Sequence, residues 1–239
     1  MLLSMKILSV LLQIPTTVDN PLELTSTIIS TEAQMNIIDL AIKGGWIMLV
    51  LLILSLVATF VFIERLMVIS KAGKQDESFM SRIKDYIYDG KVDSALKLCQ
   101  STSSPTARMI GKGISRLGRP TSDVLATIEN AGNIEVAKLE KGFPVIATIA
   151  GGAPMVGFLG TVTGMIRSFY AMANAGTNVD ITMLSGGIYE ALVTTVGGLV
   201  VGIIAMFAYN YLVSLVGNLV NKLETSTMDF MDLLNEPSR

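Results

Sequence analysis

The sequence predicts an all-α membrane protein: three transmembrane helices, the N-terminus outside, and long helical extensions into the cytoplasm. Three observations predict it. Of the 239 residues, 51% are hydrophobic and only 16% are charged, where a soluble domain carries about 25% charged residues. The apolar residues collect in three long runs, each near or above the roughly 20 residues that a bilayer-spanning helix takes. Thirteen of the 18 Lys and Arg lie between the first run and the second, and basic residues close to span ends mark the cytoplasmic side. The chain then divides into an external N-terminal segment (1–44), a first crossing (45–64), a cytoplasmic helical region (65–142), a second crossing (143–169), an external turn (170–186), a third crossing (187–216) and a cytoplasmic tail (217–239).

Residues 1–18 are apolar with one basic residue, Lys6. They fit either a signal peptide, for which no small-x-small cleavage pattern follows Gln13, or a short helix lying on the outer membrane surface. A polar linker follows to residue 35. Met35 to Lys43 begins another helical approach, with Thr31 as a cap and Asp39 and Lys43 one turn apart. The first crossing, Trp46 to Ile63, opens on an interfacial aromatic and closes at Glu64-Arg65. Its residues are almost all large aliphatics, so it suits the lipid-facing rim of a bundle.

Four helical segments are legible in the cytoplasmic region. Phe79, Ile83, Tyr86 and Ile87 recur at helical spacing up to Asp89-Gly90, and Val92, Ala95, Leu96 and Cys99 repeat the pattern. Pro105 to Leu117 is a third segment, stopped by Gly118. The fourth opens after Pro120, with Thr121 or Ser122 as its cap and Asp123 at its positive end. It is expected to run without a break through Gly142 into the second crossing, carrying that helix about 30 Å beyond the bilayer.

The second crossing, Phe143 to Phe169, is rich in small residues and holds Pro154 deep inside. That proline removes one backbone hydrogen bond and crowds the carbonyl of Ala150, so a kink is expected. Ala153, Gly157, Thr161 and Gly164 form one smooth face that lets another helix approach closely. Gly160 lies in the same motif. In the third crossing Gly197, Gly198 and Gly202 are packing residues on the same argument. Faces of this kind imply a homo-oligomer.

Two stretches carry a family resemblance. Ala-Pro-x-x-Gly-x-x-Gly-Thr-Val-x-Gly-Met-Ile, Ala153 to Ile166, resembles the second membrane helix of the ExbB/TolQ/MotA proton-channel family. Gly186 to Tyr211, GGIYEALVTTVGGLVVGIIAMFAYNY, resembles that family's third helix. The resemblance covers roughly Gly45 to Asn221 and is most like an ExbB-type subunit. It implies a ring, a pentamer, around a dimer of a small single-span partner (ExbD- or TolR-like) whose helix carries an aspartate. It further implies proton flow along the shared interface, work passed on through a TonB- or TolA-like protein, and a bacterial inner-membrane location. Energised outer-membrane uptake is the first reading and TolQ-like envelope maintenance the second. Proton is preferred over sodium by the resemblance alone.

Glu190 begins the third crossing. A carboxylate inside a membrane costs on the order of 2.5–3.5 kcal/mol and marks a functional site by default. The alternative is that Glu190 sits at the outer interface and places a negative charge at a helix N-terminus. By resemblance it matches the family's third-helix glutamate, and Thr161 and Thr195 match its two pore threonines. Helical rise places those two threonines at similar depth. Glu190 and Thr195 are about 140° apart around an ideal helix, so Thr194 shares Glu190's face better. Apart from Glu190 the spans contain no carboxylate suited to a proton path, and by resemblance a partner supplies it.

Other chemistry is excluded or unsupported. There is no histidine, which removes a histidine-based triad and histidine-ligated zinc. The single cysteine, Cys99, has no partner within the chain for a disulfide and suits a small buried position. The paired glycines lie in apolar helices, so no phosphate loop or other cofactor site is expected. Basic residues interleaved with acidic ones argue against nucleic acid. The chain is therefore expected to be no enzyme. A scaffold that conducts nothing explains the small-residue faces but not Glu190 beside threonines; a self-sufficient channel lacks the internal carboxylates.

Overall fold

A computed structural model describes residues 44–74, 78–174 and 181–235, all of them helix or short turn, with no strand among them. The readings for residues 1–43, including the surface helix or signal peptide and the Thr31 cap, lie outside the described residues. Among the described residues seven helices follow in order: α1 (Gly45–Ala72), α2 (Phe79–Tyr88), α3 (Val92–Ser101), α4 (Pro105–Ile114), α5 (Thr121–Leu139), α6 (Phe143–Asn174) and α7 (Ile181–Asn235). Three of them, α1, α6 and α7, are long and apolar enough to cross a membrane.

Local chemistry sets the ends of the short helices. Ser104 precedes α4, and its hydroxyl accepts a hydrogen bond from the Ala107 N–H at 3.1 Å, with Pro105 at the first helical position. That pairing satisfies an orphan donor and places proline where its missing N–H costs nothing. At α5 the expected caps are not used. The helix begins at Thr121 behind Pro120, and no side chain caps it. Thr121 and Ser122 therefore sit inside the first turn, past the position from which a hydroxyl reaches back to the free N–H groups.

The long helix expected to pass from the cytoplasmic region into the second crossing is in fact two helices. α5 ends at Leu139 and α6 starts at Phe143. Gly142 between them has φ +94°, a left-handed conformation that ends a helix and that glycine adopts without strain. Pro144 in the first turn of α6 has no N–H to continue the ladder from α5. Arg65 of α1 closes the joint. It is buried, and its Nη1 donates to the Lys138 carbonyl at 3.3 Å while Nη2 pairs with Glu64 at 2.7 Å. A cation at the C-terminus of α5 is favoured by the helix dipole.

Two cores hold these helices. One joins α2 to α5 with the distal half of α7, through Phe79, Ile83, Ile110, Ile128 and Phe230, all fully buried. The other joins α1, α6 and α7 through Leu51, Ile146, Ala153, Ala205 and Leu212. Ring contacts pin its edges: Phe143 meets Tyr209 edge-on at 6.1 Å, and Phe62 lies tilted on Tyr211 at 6.4 Å. α7 spans both cores as one helix of 55 residues, about 80 Å long. α1 presents Leu49, Leu52, Leu56 and Phe60 outward, each more than half exposed.

Candidate functional site

α6 and α7 run antiparallel in close contact. Stepping down α6 and up α7, Ser168 meets Gly187, Gly164 meets Ala191, Gly160 meets Thr194, Gly157 meets Gly198 and Pro154 meets Gly202. The approach is tight enough that side chains would not fit. A Cβ on Gly198 would lie 2.6 Å from the Ala153 carbonyl oxygen and 2.8 Å from the Gly157 Cα. One on Gly202 would lie 2.5 Å from the Pro154 ring and 3.0 Å from the Ala150 carbonyl oxygen, the carbonyl that Pro154 deprives of its usual donor. α6 continues through Pro154 as one helix. Gly197 turns to the other side, where Met48 and Leu51 of α1 pack on it.

Three threonine hydroxyls gather midway along this contact. Thr161 Oγ1 and Thr195 Oγ1 touch. Thr195 donates to the Gly157 carbonyl at 3.2 Å, and Thr161 to the Ala191 carbonyl at 3.3 Å. Thr194 donates to the same Ala191 carbonyl at 2.7 Å. The Gly157 carbonyl thus accepts one close hydroxyl, and the Ala191 carbonyl is shared by two. The two kinds of threonine differ in access. Thr194 is 1% exposed and packed on Gly160, whereas Thr161 and Thr195 are half-buried with a face open to the surface of this chain.

Glu190 points elsewhere. Its carboxylate lies against Gly45, the first residue of α1. That helix has no acidic residue in its first turn and no side-chain cap, so Glu190 brings negative charge to its positive end. The five-residue separation from Thr195 thus turns Glu190 toward α1 while Thr195 turns toward α6. Angular separation on one helix was legible in the sequence, but the identity of the neighbour each side meets was not. The carbonyls of Gly157 and Ala191 left no signal at all, since any residue supplies one.

The cluster offers hydroxyls and carbonyls and no ionisable group. It can hold water or pass a hydrogen-bonded proton along, but it cannot store a proton by itself. Among the described residues no group of His, Cys, Asp or Glu is arranged to hold a metal.

The family profile described as "MotA/TolQ/ExbB proton channel family" matches residues 101–225, which include α6, the threonine cluster and most of α7. The chain belongs to that family. Among curated relatives, a biopolymer transport protein named ExbB-like 1 from Synechocystis is 31% identical over 202 residues, covering 82% of this chain and 75% of the relative. A Tol-Pal system protein TolQ from Haemophilus influenzae is 29% identical, covering 84% and 92%. A biopolymer transport protein ExbB from Neisseria meningitidis is 25% identical, covering 77% and 86%. The MotA/TolQ/ExbB family is one of channel subunits rather than enzymes, and three membrane-capable helices in this member fit a multi-pass membrane protein.

Proposed function

We propose that this chain is the ring-forming subunit of an inner-membrane motor that turns proton motive force into mechanical work on the cell envelope. The observation that carries it is the contact between Thr161 and Thr195, half-buried on a tight glycine-lined interface and without an acid of its own. Such a site completes a proton path only when a partner brings a carboxylate to it. The partner in this reading is a small single-span protein of the ExbD or TolR type, with its aspartate at the level of the two threonines. Copies of this chain, five by family resemblance, surround it. Thr161 and Thr195 line the path; Glu190 acts at its outer end beside α1; Thr194 shares the Ala191 carbonyl with Thr161; and Pro154 with Gly157, Gly160, Gly164, Gly197, Gly198 and Gly202 hold the wall together.

The concentration of Lys and Arg between α1 and α6 supports a cytoplasmic location for α2 to α5. Work then passes outward through a TonB-like protein to outer-membrane uptake. A TolA-like output for envelope maintenance is the second reading, favoured by the long match to a TolQ protein. The test is native mass spectrometry of the complex, followed by proton flux in vesicles. A ring with a co-purified single-span protein is expected. Thr161→Val with Thr195→Val should keep that ring and lower flux on the order of tenfold, the factor that about 1.4 kcal/mol of lost hydrogen bonding produces. Glu190→Ala should likewise assemble and lose activity. Full activity in both variants would remove the path from this interface and leave a scaffold.

A further inference from the structure

Away from the membrane core, α5 separates two surfaces of opposite character. On one side a groove of about 710 Å³ runs between α5 and the distal half of α7. Its apolar lining includes Leu125, Met228 and Met231, and its charged lining is entirely acidic: Glu129, Glu224 and Asp232. Met228 is 64% exposed, unusual for a large apolar side chain on a polar surface. Gly132 helps form the floor, where a Cβ would come within 3.1 Å of the Met109 sulfur. Unbranched methionines adapt their shape to an incoming surface.

The other side of α5 carries the complement. Ile134 is 58% exposed. Arg108, Lys112 and Lys138 lie about it, with Glu135 as the acidic residue among them. Glu135 is shared by Arg108 and Lys138, so positive charge remains in excess. Helical geometry sets Ile134 roughly 150° around α5 from the residues that line the acidic groove. Exposed Ile134, on the lining of a second groove of about 580 Å³ in which cations outnumber carboxylates, and an apolar groove edged by carboxylates thus occupy opposite sides of one helix.

We propose that the acidic groove of one copy receives the basic, Ile134-bearing side of α5 from a second copy. The contact is head-to-tail, because the two surfaces differ and face apart, and a contact of that type closes into a ring when its rotation allows. This rests on the ring-forming reading above and adds the cytoplasmic surface that makes the ring. Methionines and Ile134 supply the apolar contact, and the opposed charges set its register.

The experiment uses the full chain in its native membrane. Met228→Cys and Ile134→Cys are made singly and together, and a flexible bismaleimide is added. The double variant is expected to give a ladder of cross-linked species up to the ring size seen by native mass spectrometry, with neither single variant passing beyond a dimer. Cys99, 4% exposed, is common to all three and so is controlled for. A ring without a ladder would overturn this surface and leave the ring-forming reading standing. A double variant that stops at dimers would overturn the head-to-tail contact. An unmodified protein that is monomeric would overturn both.

Discussion

At the scale of single residues, glycine decides what the α6–α7 contact can be. Where a Cβ has nowhere to go, one methyl separates two helices. Gly198→Ala is expected to destabilise the protein by about 1–3 kcal/mol through overpacking, because the obstructing atoms are backbone and cannot rotate aside. Gly217 lies in the same helix with nothing within 4 Å of an added Cβ. Gly217→Ala should be neutral or stabilise by up to about 1 kcal/mol, the helix propensity difference. Thermal unfolding of the two variants in one detergent compares them directly. Both glycines look alike in the sequence, and Thr161 and Thr195 were legible there through their motif. The distinction between a glycine that touches backbone and one that faces open space was not, because it depends on which helix arrives opposite.

At the scale of elements, α4 and α5 are tied by one carboxylate. Burial pushes Glu135 upward, but hydrogen bonds from Arg108 and Lys138, together with their charges, outweigh it and hold the carboxyl below its usual value. Arg108 Nη2 lies 2.5 Å from one oxygen and Lys138 Nζ 2.7 Å from the other. A carboxylate with a lowered folded pKa contributes stability that is whole above its unfolded value, near 4.5, and lost as pH falls through the folded value. The apparent Tm of the native chain should therefore drop on acidification below about pH 4.5. Glu135→Gln should start lower, by about 2 kcal/mol, and show a shallower acid slope. Equal slopes would remove Glu135 from the linkage. Neither this tie nor the joint at Gly142 followed from periodicity. The apolar pattern runs from α5 into α6 without interruption, so continuity was the natural expectation. Gly142 and Pro144 were the overlooked signals, a left-handed residue and a missing N–H one residue apart on either side of Phe143. The three-helix membrane architecture, in contrast, was legible from hydropathy alone, because no other element can bury so many consecutive aliphatics.

At the scale of the whole molecule, two cores share one helix. α7 contributes Ala205 and Leu212 to the first and Leu223 and Phe230 to the second. Breaking α7 between them is the direct test of whether the halves act together. Asn221→Pro, between Leu219 of one core and Leu223 of the other, removes a backbone hydrogen bond and costs roughly 3 kcal/mol. Each core should keep its own packing, so the complex is expected to assemble while proton-driven output falls sharply. Retained output, measured as uptake or envelope integrity in cells, would show that the halves work independently. The contrast with the neighbouring chain path is mechanical. α7 runs unbroken from Ile181 to Asn235, so one continuous helix joins Glu190 to Phe230. α5 and α6 cover a comparable path with a break at Gly142, whose left-handed backbone separates the two helices. In the motor proposed above, each copy would therefore link its two cores by one continuous strut and one jointed one.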